Sequence, residues 1–211
     1  MRSKDGLTFT EQARREQIVA GTLEIIATNG YAQASVAKIA EQIGVAKSVV
    51  LYHFKTKNDI IAAAVGTVFD HAAAVIAPAV AAEKTAAGKL GAYIRANTRF
   101  LADSRVAAIA RLEITTSFRT DDGVRLDEAA ARSAHIRPPA GDLALLDPLT
   151  IFVEGIEVGE FRPMSAVFAK NALRAALDGA VWELARDPNY DVIAYGEELV
   201  TLFDLATRAR P

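Results

Sequence analysis

The spacing of apolar residues is helical along almost the whole chain. Over residues 11–28 the apolar positions share one helical face, and Asn29-Gly30 is a helix stop signal. A second helix follows, and its apolar stripe has the i, i+3, i+4, i+7 spacing and consists of Val36, Ile39, Ala40 and Ile43. Gly44 ends this helix after two turns, and a third short helix is predicted over residues 46–52.

A long fourth helix is predicted to begin at Asn58, which serves as its N-cap, and Pro78 marks its end or a kink. Further helical patterns cover residues 86–103, 104–118, 148–158, 164–186 and 190–208. No segment shows the strict alternation that predicts a β-strand. The sequence therefore predicts an all-α protein.

Composition excludes several kinds of site. The 211 residues are 51% hydrophobic and 24% charged, which allows a sizeable core. The absence of Cys excludes disulfides, thiolate metal ligands and Cys nucleophiles. Because His53, His71 and His135 lie far apart in the sequence, we predict no metal site, and no sequence feature calls for a cofactor.

No membrane or export signal is predicted. The apolar stretch from Ile60 to Ala82 is interrupted by Asp70, His71 and Pro78, which favours a buried helix over a membrane span. The first ten residues lack the apolar core of a signal peptide. We therefore expect a cytoplasmic protein without membrane contact.

A local basic patch contrasts with the net charge of −2. No Asp or Glu occurs from Gln42 to Asn58, and this stretch contains Lys47, Lys55 and Lys57 beside aromatic residues. Phosphate binding depends on local charge more than on net charge. The patch therefore indicates a surface for a nucleic acid.

Residues 36–54 have the pattern of a helix-turn-helix. Ala40 is small where two helices cross, and Gly44 supplies the left-handed backbone of a tight turn. The apolar residues that lock the third helix against the second are Ile39, Ile43, Val45 and Val50. This arrangement leaves Lys47, Ser48, Val49 and Tyr52 on the outer side, on a helix that fits the major groove of DNA.

Each outer residue has a predicted DNA contact. Lys47 and Ser48 can donate to base edges or phosphates, and Val49 can contact a thymine methyl group. Lys57, beside the start of the fourth helix, can hold a phosphate. The predicted DNA-binding residues are Ser35, Lys47, Ser48, Val49, Tyr52, His53, Lys55 and Lys57. The alternative is a helical corner with solvated lysines and no DNA contact.

The segment RREQIVAGTLEIIATNGYAQASVAKIAEQIGVAKSVVLYHFKTKNDII resembles the N-terminal domain of the tetracycline-repressor (TetR-type) family of bacterial transcription regulators. The positions that carry the resemblance are Arg15, Ile18, Gly30-Tyr31, Ser35-Val36, Ile39-Ala40, Gly44-Val45, His53-Phe54, Lys57 and Ile60. Two departures stand out. Leu51 occupies a place where the family usually has Tyr, and Gly21-Thr22 replaces a usual pair of alanines.

The resemblance implies two domains. Residues 1–57 would form the helix-turn-helix DNA-binding domain, and residues 58–211 a larger helical domain for effector binding and dimerisation. The last two long helices are rich in apolar residues and would form a four-helix bundle with a second copy. The homodimer would bind a pseudo-palindromic operator in double-stranded DNA. The alternative is that these helices pack only within one chain.

The family also implies a pocket for a small-molecule effector. The candidate lining residues are Phe69, Tyr93, Phe100, Arg111, Glu113, Phe118, Phe152 and Trp182. Their apolar character predicts an apolar or aromatic effector. Core packing of the aromatic residues and an ordinary ion pair for Arg111 and Glu113 are the alternative interpretation.

The sequence bears on three classes of function. The resemblance implies a sequence-specific transcriptional regulator, a repressor that a small-molecule effector releases from its operator. An effector-independent regulator or activator is the alternative. An enzyme is not predicted, because the sequence has no nucleophile–base set, paired carboxylates or glycine-rich phosphate loop.

Overall fold

The computed structural model describes residues 8–120, 122–126, 128 and 140–209. Nine α-helices lie in this part of the chain, with two short 3-10 helices at Tyr31–Gln33 and Gly141–Leu146. The α-helices are α1 Phe9–Asn29, α2 Val36–Gln42, α3 Lys47–His53, α4 Lys57–Ala81, α5 Ala86–Asp103, α6 Arg105–Ser117, α7 Leu149–Glu157, α8 Ala166–Arg186 and α9 Val192–Thr207. The described residues contain only isolated β-bridges and no strand. The all-α prediction is confirmed.

The helices fall into two compact units. The first is drawn from Met1–Val68 and Val106–Arg132, and the second from Phe69–Arg105 and Ser133–Pro211, with structure given for their described residues only. The first unit therefore includes α4 as far as Val68 and most of α6, in addition to α1–α3. The functional division at residues 57 and 58 stays a prediction.

Helices α1, α2 and α3 pack around a small core in the first unit. Ile18, Ile39 and Val50, one from each helix, have no exposed surface. Gly44 closes the α2–α3 turn with φ 68°, a left-handed conformation that glycine adopts without steric cost. The Val45 amide donates to the Ala40 carbonyl at 2.9 Å across this turn. The turn therefore holds α3 at a fixed angle to α2.

The structure explains the Gly21-Thr22 pair in α1. A Cβ atom built on Gly21 would lie 2.5 Å from the Ile43 Cγ2 atom, so the absence of a side chain lets Ile43 pack against α1. Thr22 is fully buried, and its hydroxyl donates to the Ile18 carbonyl at 2.7 Å. Both departures from the usual alanines therefore serve the packing of the three-helix core.

Helix α4 begins one residue earlier than predicted. The Thr56 amide donates to the Asp59 carboxylate at 2.9 Å, and the Asp59 amide donates to the Thr56 hydroxyl at 3.1 Å. This reciprocal pair makes Thr56 the N-cap, so the assignment of the cap to Asn58 was wrong. Pro78 lies inside the helix, within its last turn, and does not end it.

Helix α4 is long and apolar enough to cross a membrane by length and composition alone. Core helices of soluble proteins pass the same test, and α4 has their burial pattern. Every fourth residue along its length is buried, namely Ile60, Ala64, Val68, Ala72, Ile76 and Val80. Asp70 and His71 lie exposed between them. The pattern is that of a packed helix with one solvated face.

In the second unit α5 packs against α7, α8 and α9, and α8 also packs against α7 and α9. Phe152 of α7 is fully buried, and its ring lies 6.1 Å from that of Phe161 and 6.4 Å from that of Phe203. Much of the apolar surface predicted for dimerisation is used here instead. The buried residues of this set are Leu173, Leu177, Val181, Leu184, Val192, Leu199 and Phe203.

Candidate nucleic-acid interface

Helix α3 presents its polar residues to solvent. Lys47, Ser48 and Tyr52 are exposed, and Val49 is half-buried beside them. Ser35 and Lys55 are also exposed, and the Ser35 hydroxyl caps α2 by accepting from the Lys38 amide at 3.2 Å. The structure thus places these predicted DNA-binding residues at the surface of the first unit.

Arg15 of α1 fixes the C-terminal end of α3. Its guanidinium donates to the His53 carbonyl and lies 4.0 Å from the centre of the Phe54 ring. Phe54 is buried, and its amide donates to the Val50 carbonyl at 2.9 Å. A cation at a helix C-terminus also interacts favourably with the helix dipole. The sequence alone did not predict a role for Arg15, although Arg15 is part of the family pattern.

Tyr52 is held by two neighbours although 75% of it is exposed. Its ring meets that of His53 edge to face, with the centroids 5.0 Å apart. Its hydroxyl donates to the Glu11 carboxylate at 3.4 Å, and that carboxylate also accepts from the Thr8 amide and hydroxyl at 2.8 Å. The hydrogen bonds from Thr8 and then Tyr52 lower the pKa of Glu11. Glu11 was not predicted as part of this surface.

The surroundings of the His53 imidazole favour its neutral form. Burial lowers its pKa from the ordinary 6.5, and the positive charges of Arg15 and Arg14 lower it further, while Glu11 opposes them. A neutral imidazole has one N–H donor and one acceptor nitrogen. His53 can therefore donate a single hydrogen bond to a DNA backbone oxygen.

Lys57 is the one predicted DNA-binding lysine with protein partners among the interactions described. Its ammonium donates to the Tyr31 carbonyl at 3.3 Å and lies 4.2 Å from the centre of the Tyr31 ring. Partial burial lowers the pKa of Lys57 below its usual 10.5. An ammonium has three donors, so two are left for another acceptor. The sequence alone did not predict a role for Tyr31, although Tyr31 is part of the family pattern.

The predicted effector-binding residues are divided between the two units. In the second unit Tyr93, Phe100 and Phe152 are buried, and the Tyr93 hydroxyl donates to the Leu146 carbonyl at 3.0 Å. Phe69 and Trp182 are 37% and 43% exposed. In the first unit Phe118 is buried, and Arg111 and Glu113 of α6 are half-buried. Tyr93 and Phe152 lie within the packed core of the second unit.

A surface cavity of about 430 Å³ lies between α4, α5 and α9 in the second unit. Arg95 and Glu197 face each other in its lining and form two hydrogen bonds of 2.8 and 2.7 Å. None of the predicted effector-binding residues lines this cavity. Within the described residues no group of three or more His, Asp or Glu side chains could hold a metal ion.

Comparisons with known proteins extend the resemblance over most of the chain. Residues 18–64 match the model of the bacterial regulatory proteins of the tetR family. Over 190 residues the chain is 28% identical to the fatty acid metabolism regulator protein of Bacillus subtilis (strain 168). The match covers 88% of this chain and 91% of the relative. The family resemblance and the prediction of a transcriptional regulator are thus confirmed.

Solved structures agree with this match. The transcriptional regulator FadR from Bacillus subtilis, in complex with stearoyl-CoA, has a TM-score of 0.71 and 26% identity, covering 90% of this chain and 98% of that one. FadR from Bacillus halodurans shares the fold, with a TM-score of 0.73 at 24% identity and coverage of 93% and 97%.

These relatives are regulators of transcription and not enzymes, so the prediction that the chain is not an enzyme is confirmed. Their descriptions also agree with the exposed helix-turn-helix surface of the first unit. Residues 18–64 are thus similar to the DNA-binding domain of the tetR family of bacterial regulatory proteins, and the chain is a DNA-binding regulator of transcription.

Proposed function

We propose that the protein is a homodimeric repressor that binds a pseudo-palindromic operator and leaves it when a small-molecule effector binds. The observation that carries this proposal is the exposed face of α3, with Lys47, Ser48 and Tyr52 outward on a helix held at both ends. A short rigid helix of this kind fits the major groove.

The predicted contacts divide into two kinds. Lys47, Ser48 and Val49, at the start of α3, contact base edges, because the N-terminal residues of a recognition helix are the ones that reach them. The remaining predicted residues contact the sugar-phosphate backbone and fix the register of the protein on the duplex. These residues are Ser35, Tyr52, His53, Lys55 and Lys57.

The dimer is proposed to form through α8 and α9. After the buried residues are set aside, these helices still expose large apolar side chains, with Phe168 72%, Leu202 58% and Leu205 68% exposed. Such side chains on two adjacent helices are suited to a four-helix bundle with a second copy. Two-fold symmetry then presents two α3 helices to two half-sites.

The effector is proposed to be a long acyl chain carried as a coenzyme A thioester, in which the acyl chain is apolar and the coenzyme A part is charged. The support is the relative that regulates fatty acid metabolism and the FadR structure that contains stearoyl-CoA. Residues 58–211 would bind it, and residues 1–57 would bind DNA. Such a regulator acts in the cytoplasm, where its operator and effector are both present.

The energetic requirement for release is modest. An effector shifts an equilibrium only through its preference for one state, and a hundredfold preference for the state that does not bind DNA corresponds to about 2.7 kcal/mol. No direct contact between effector and DNA is needed.

The DNA-binding proposal is tested by removing Lys47 and Lys57 together. Operator affinity should fall about tenfold or more in the Lys47→Ala, Lys57→Ala protein, because charge-assisted contacts are lost. A control protein with Lys84→Ala and Arg99→Ala loses the same charge at exposed positions of the second unit and should bind as wild type. Equal affinity of both variants would contradict the assignment of α3 as the DNA-reading helix.

The effector proposal is tested separately by adding stearoyl-CoA, coenzyme A alone or an aromatic carboxylate to the protein–DNA complex. We expect stearoyl-CoA to raise the melting temperature of the free protein and to release DNA, because a ligand stabilises the state that it binds. Release by the aromatic compound alone would assign an aromatic effector. Release by none of them would favour the effector-independent regulator.

A further inference from the structure

Three residues from distant parts of the sequence meet at Tyr31 in the first unit, and we call them the Tyr31 cluster. Tyr31 begins the 3-10 helix after α1, Lys57 is the first residue of α4, and Phe118 directly follows α6. The Lys57 ammonium lies over the Tyr31 ring, and the Phe118 ring meets the same ring edge to face, with 6.2 Å between centroids and an 87° interplanar angle. Tyr31 is therefore contacted by both of the others.

Lys57 is bound to Tyr31 in two independent ways. The ring attracts the ammonium through its quadrupole, and the Tyr31 carbonyl accepts one of its hydrogen bonds at 3.3 Å. These contacts restrict a side chain that would otherwise sample many rotamers. Because Lys57 is only half-buried and keeps two unused N–H donors, a phosphate oxygen can still bind it.

Phe118 restricts the Tyr31 ring in turn. Its side chain is only 8% exposed, and its amide donates to the Ile114 carbonyl at 2.8 Å, which ties it to the last turn of α6. Edge-to-face aromatic pairs are favoured beyond the area that they bury. The Tyr31 ring, over which the Lys57 ammonium lies, is thus held in place by Phe118, which is itself fixed at the end of α6.

We infer that Tyr31, braced by Phe118, is a positioning residue for DNA binding that holds the Lys57 ammonium in place for a phosphate contact. This inference rests on the proposed function, since it requires that Lys57 contacts DNA. Ordering a lysine before association removes part of the entropic cost of binding, so the cluster contributes to affinity without touching DNA. Phe118 acts in this cluster, and its predicted role as an effector contact is not required.

The test compares single and double substitutions on one DNA. The probe is a duplex of about 30 base pairs, long enough for two half-sites, that wild-type protein selects from a random pool. Tyr31→Leu removes the ring and should weaken binding about fivefold, while Tyr31→Phe keeps the ring and carbonyl and should bind as wild type. Phe118→Leu should weaken binding in the same direction and by less.

The double substitution separates positioning from general packing. If Tyr31 acts through Lys57, adding Tyr31→Leu to Lys57→Ala should change affinity by less than about twofold, because the two effects are not independent. The slope of log affinity against log salt should fall by about 0.9 for each phosphate contact that Lys57→Ala removes. Additive losses would overturn the inference and make Tyr31 a packing residue only.

A measurement without DNA supplies the second readout. The Lys57 ε-methylene protons should be shifted by the Tyr31 ring current in NMR spectra of wild type and Tyr31→Phe, and this shift should disappear in Tyr31→Leu. If Tyr31→Leu does not fold, Tyr31→Met is used for both measurements. Absence of the shift in folded wild-type protein would overturn the inference.

Different DNA-binding results would show that the inference about Tyr31 is wrong and that the proposed function is wrong. If wild type binds the duplex and Lys47→Ala weakens it, but Lys57→Ala does not, this inference is wrong and the proposed function stands. If wild type selects no duplex from the pool, the proposed function is wrong and the inference falls with it.

Discussion

Leu51 and Tyr52 are consecutive residues of α3, and their side chains point about 100° apart around the helix axis. Leu51 is 41% exposed at the place where the family usually has Tyr, and Tyr52 is 75% exposed beside it. The Tyr52 hydroxyl is already engaged by Glu11. A tyrosine at position 51 would carry its hydroxyl on a different side of α3.

Leu51→Tyr should therefore tighten operator binding, by up to about tenfold for one new hydrogen bond to a phosphate. The matched control is Leu51→Phe, which adds the same ring without the hydroxyl. Fluorescence anisotropy with labelled duplex measures both variants. Equal gains for the two would show that ring contact, and not a phosphate hydrogen bond, is responsible.

The pKa of His53 should respond in opposite directions to two substitutions. Arg15→Gln removes a positive charge that lowers this pKa, so the pKa should rise, and Glu11→Gln removes the opposing negative charge, so it should fall. NMR titration of the His53 ring protons measures both. A shift of the His53 pKa in the same direction in both variants would contradict the opposing effects of Arg15 and Glu11.

The same lowered pKa has a consequence for stability. Below pH 6.5 the unfolded histidine takes up a proton more readily than the folded one, so the contribution of His53 to stability is present above pH 6.5 and is lost as pH falls through the folded pKa. The wild-type unfolding free energy should therefore decrease over this range more than that of His53→Gln. Denaturant titrations at several pH values measure the difference.

For single residues, the sequence predicted which side chains are exposed better than it predicted which residues they contact. The helical period places Lys47, Ser48 and Tyr52 outward because burial of Val50 fixes the rotation of α3. The partners of Tyr52 and Lys57 lie 41 and 26 residues away in the sequence, at Glu11 and Tyr31. The helical periodicity of apolar residues gives no information about contacts between residues so far apart in the sequence.

Helix propensity and packing oppose each other at Gly21 of α1. Glycine inside a helix costs about 1 kcal/mol relative to alanine, yet a Cβ atom here would lie 2.5 Å from Ile43 Cγ2. Ile43 is β-branched and ends α2, so its γ-methyl group has little freedom to move away. Glycine at position 21 thus lowers the helix propensity of α1 but allows α1 and the end of α2 to approach closely.

Gly21→Ala should accordingly destabilise the wild-type protein by about 1–3 kcal/mol, as overpacking does. In an Ile43→Ala background the clash is absent, and the same substitution should stabilise by about 1 kcal/mol. Urea denaturation of the four proteins measures this change of sign. If Gly21→Ala stabilises both backgrounds equally, the close approach has no energetic importance.

Sequence patterns located the elements within a few residues but did not fix every end. The short apolar stripe and Gly44 predicted α2 and α3 because each signal is local. The start of α4 was misplaced because Thr56 and Asn58 are both good N-cap residues. Asp59 decides between them, since its carboxylate reaches back to the Thr56 amide.

For the whole molecule, apolar composition could not separate internal core from partner surface. Leu173 and Leu199 are buried within the second unit, whereas Trp182, Leu202 and Leu205, on the same two helices, remain exposed. Both sets look alike in the sequence, because α8 and α9 are apolar on more than one face. Only the packed structure shows which apolar side chains of these helices remain exposed.

Replacing Leu202 and Leu205 together by Asp should convert the proposed dimer to monomer, because two charges would then be buried at the bundle centre without partners. Val158→Asp is the control, since Val158 is 64% exposed but lies outside α8 and α9. Sedimentation velocity measures the mass, and circular dichroism checks that the helices are kept. A variant that stays dimeric would exclude α9 from the interface.

The same pair of variants connects assembly to DNA binding. In a dimer the second half-site contact is intramolecular, so its effective concentration is set by the linkage between subunits. The Leu202→Asp, Leu205→Asp protein should then bind a palindromic duplex no more tightly than a single half-site. Wild type and Val158→Asp should prefer the palindrome strongly. Loss of this preference with α3 unchanged would show that operator recognition depends on assembly as well as on the reading helix.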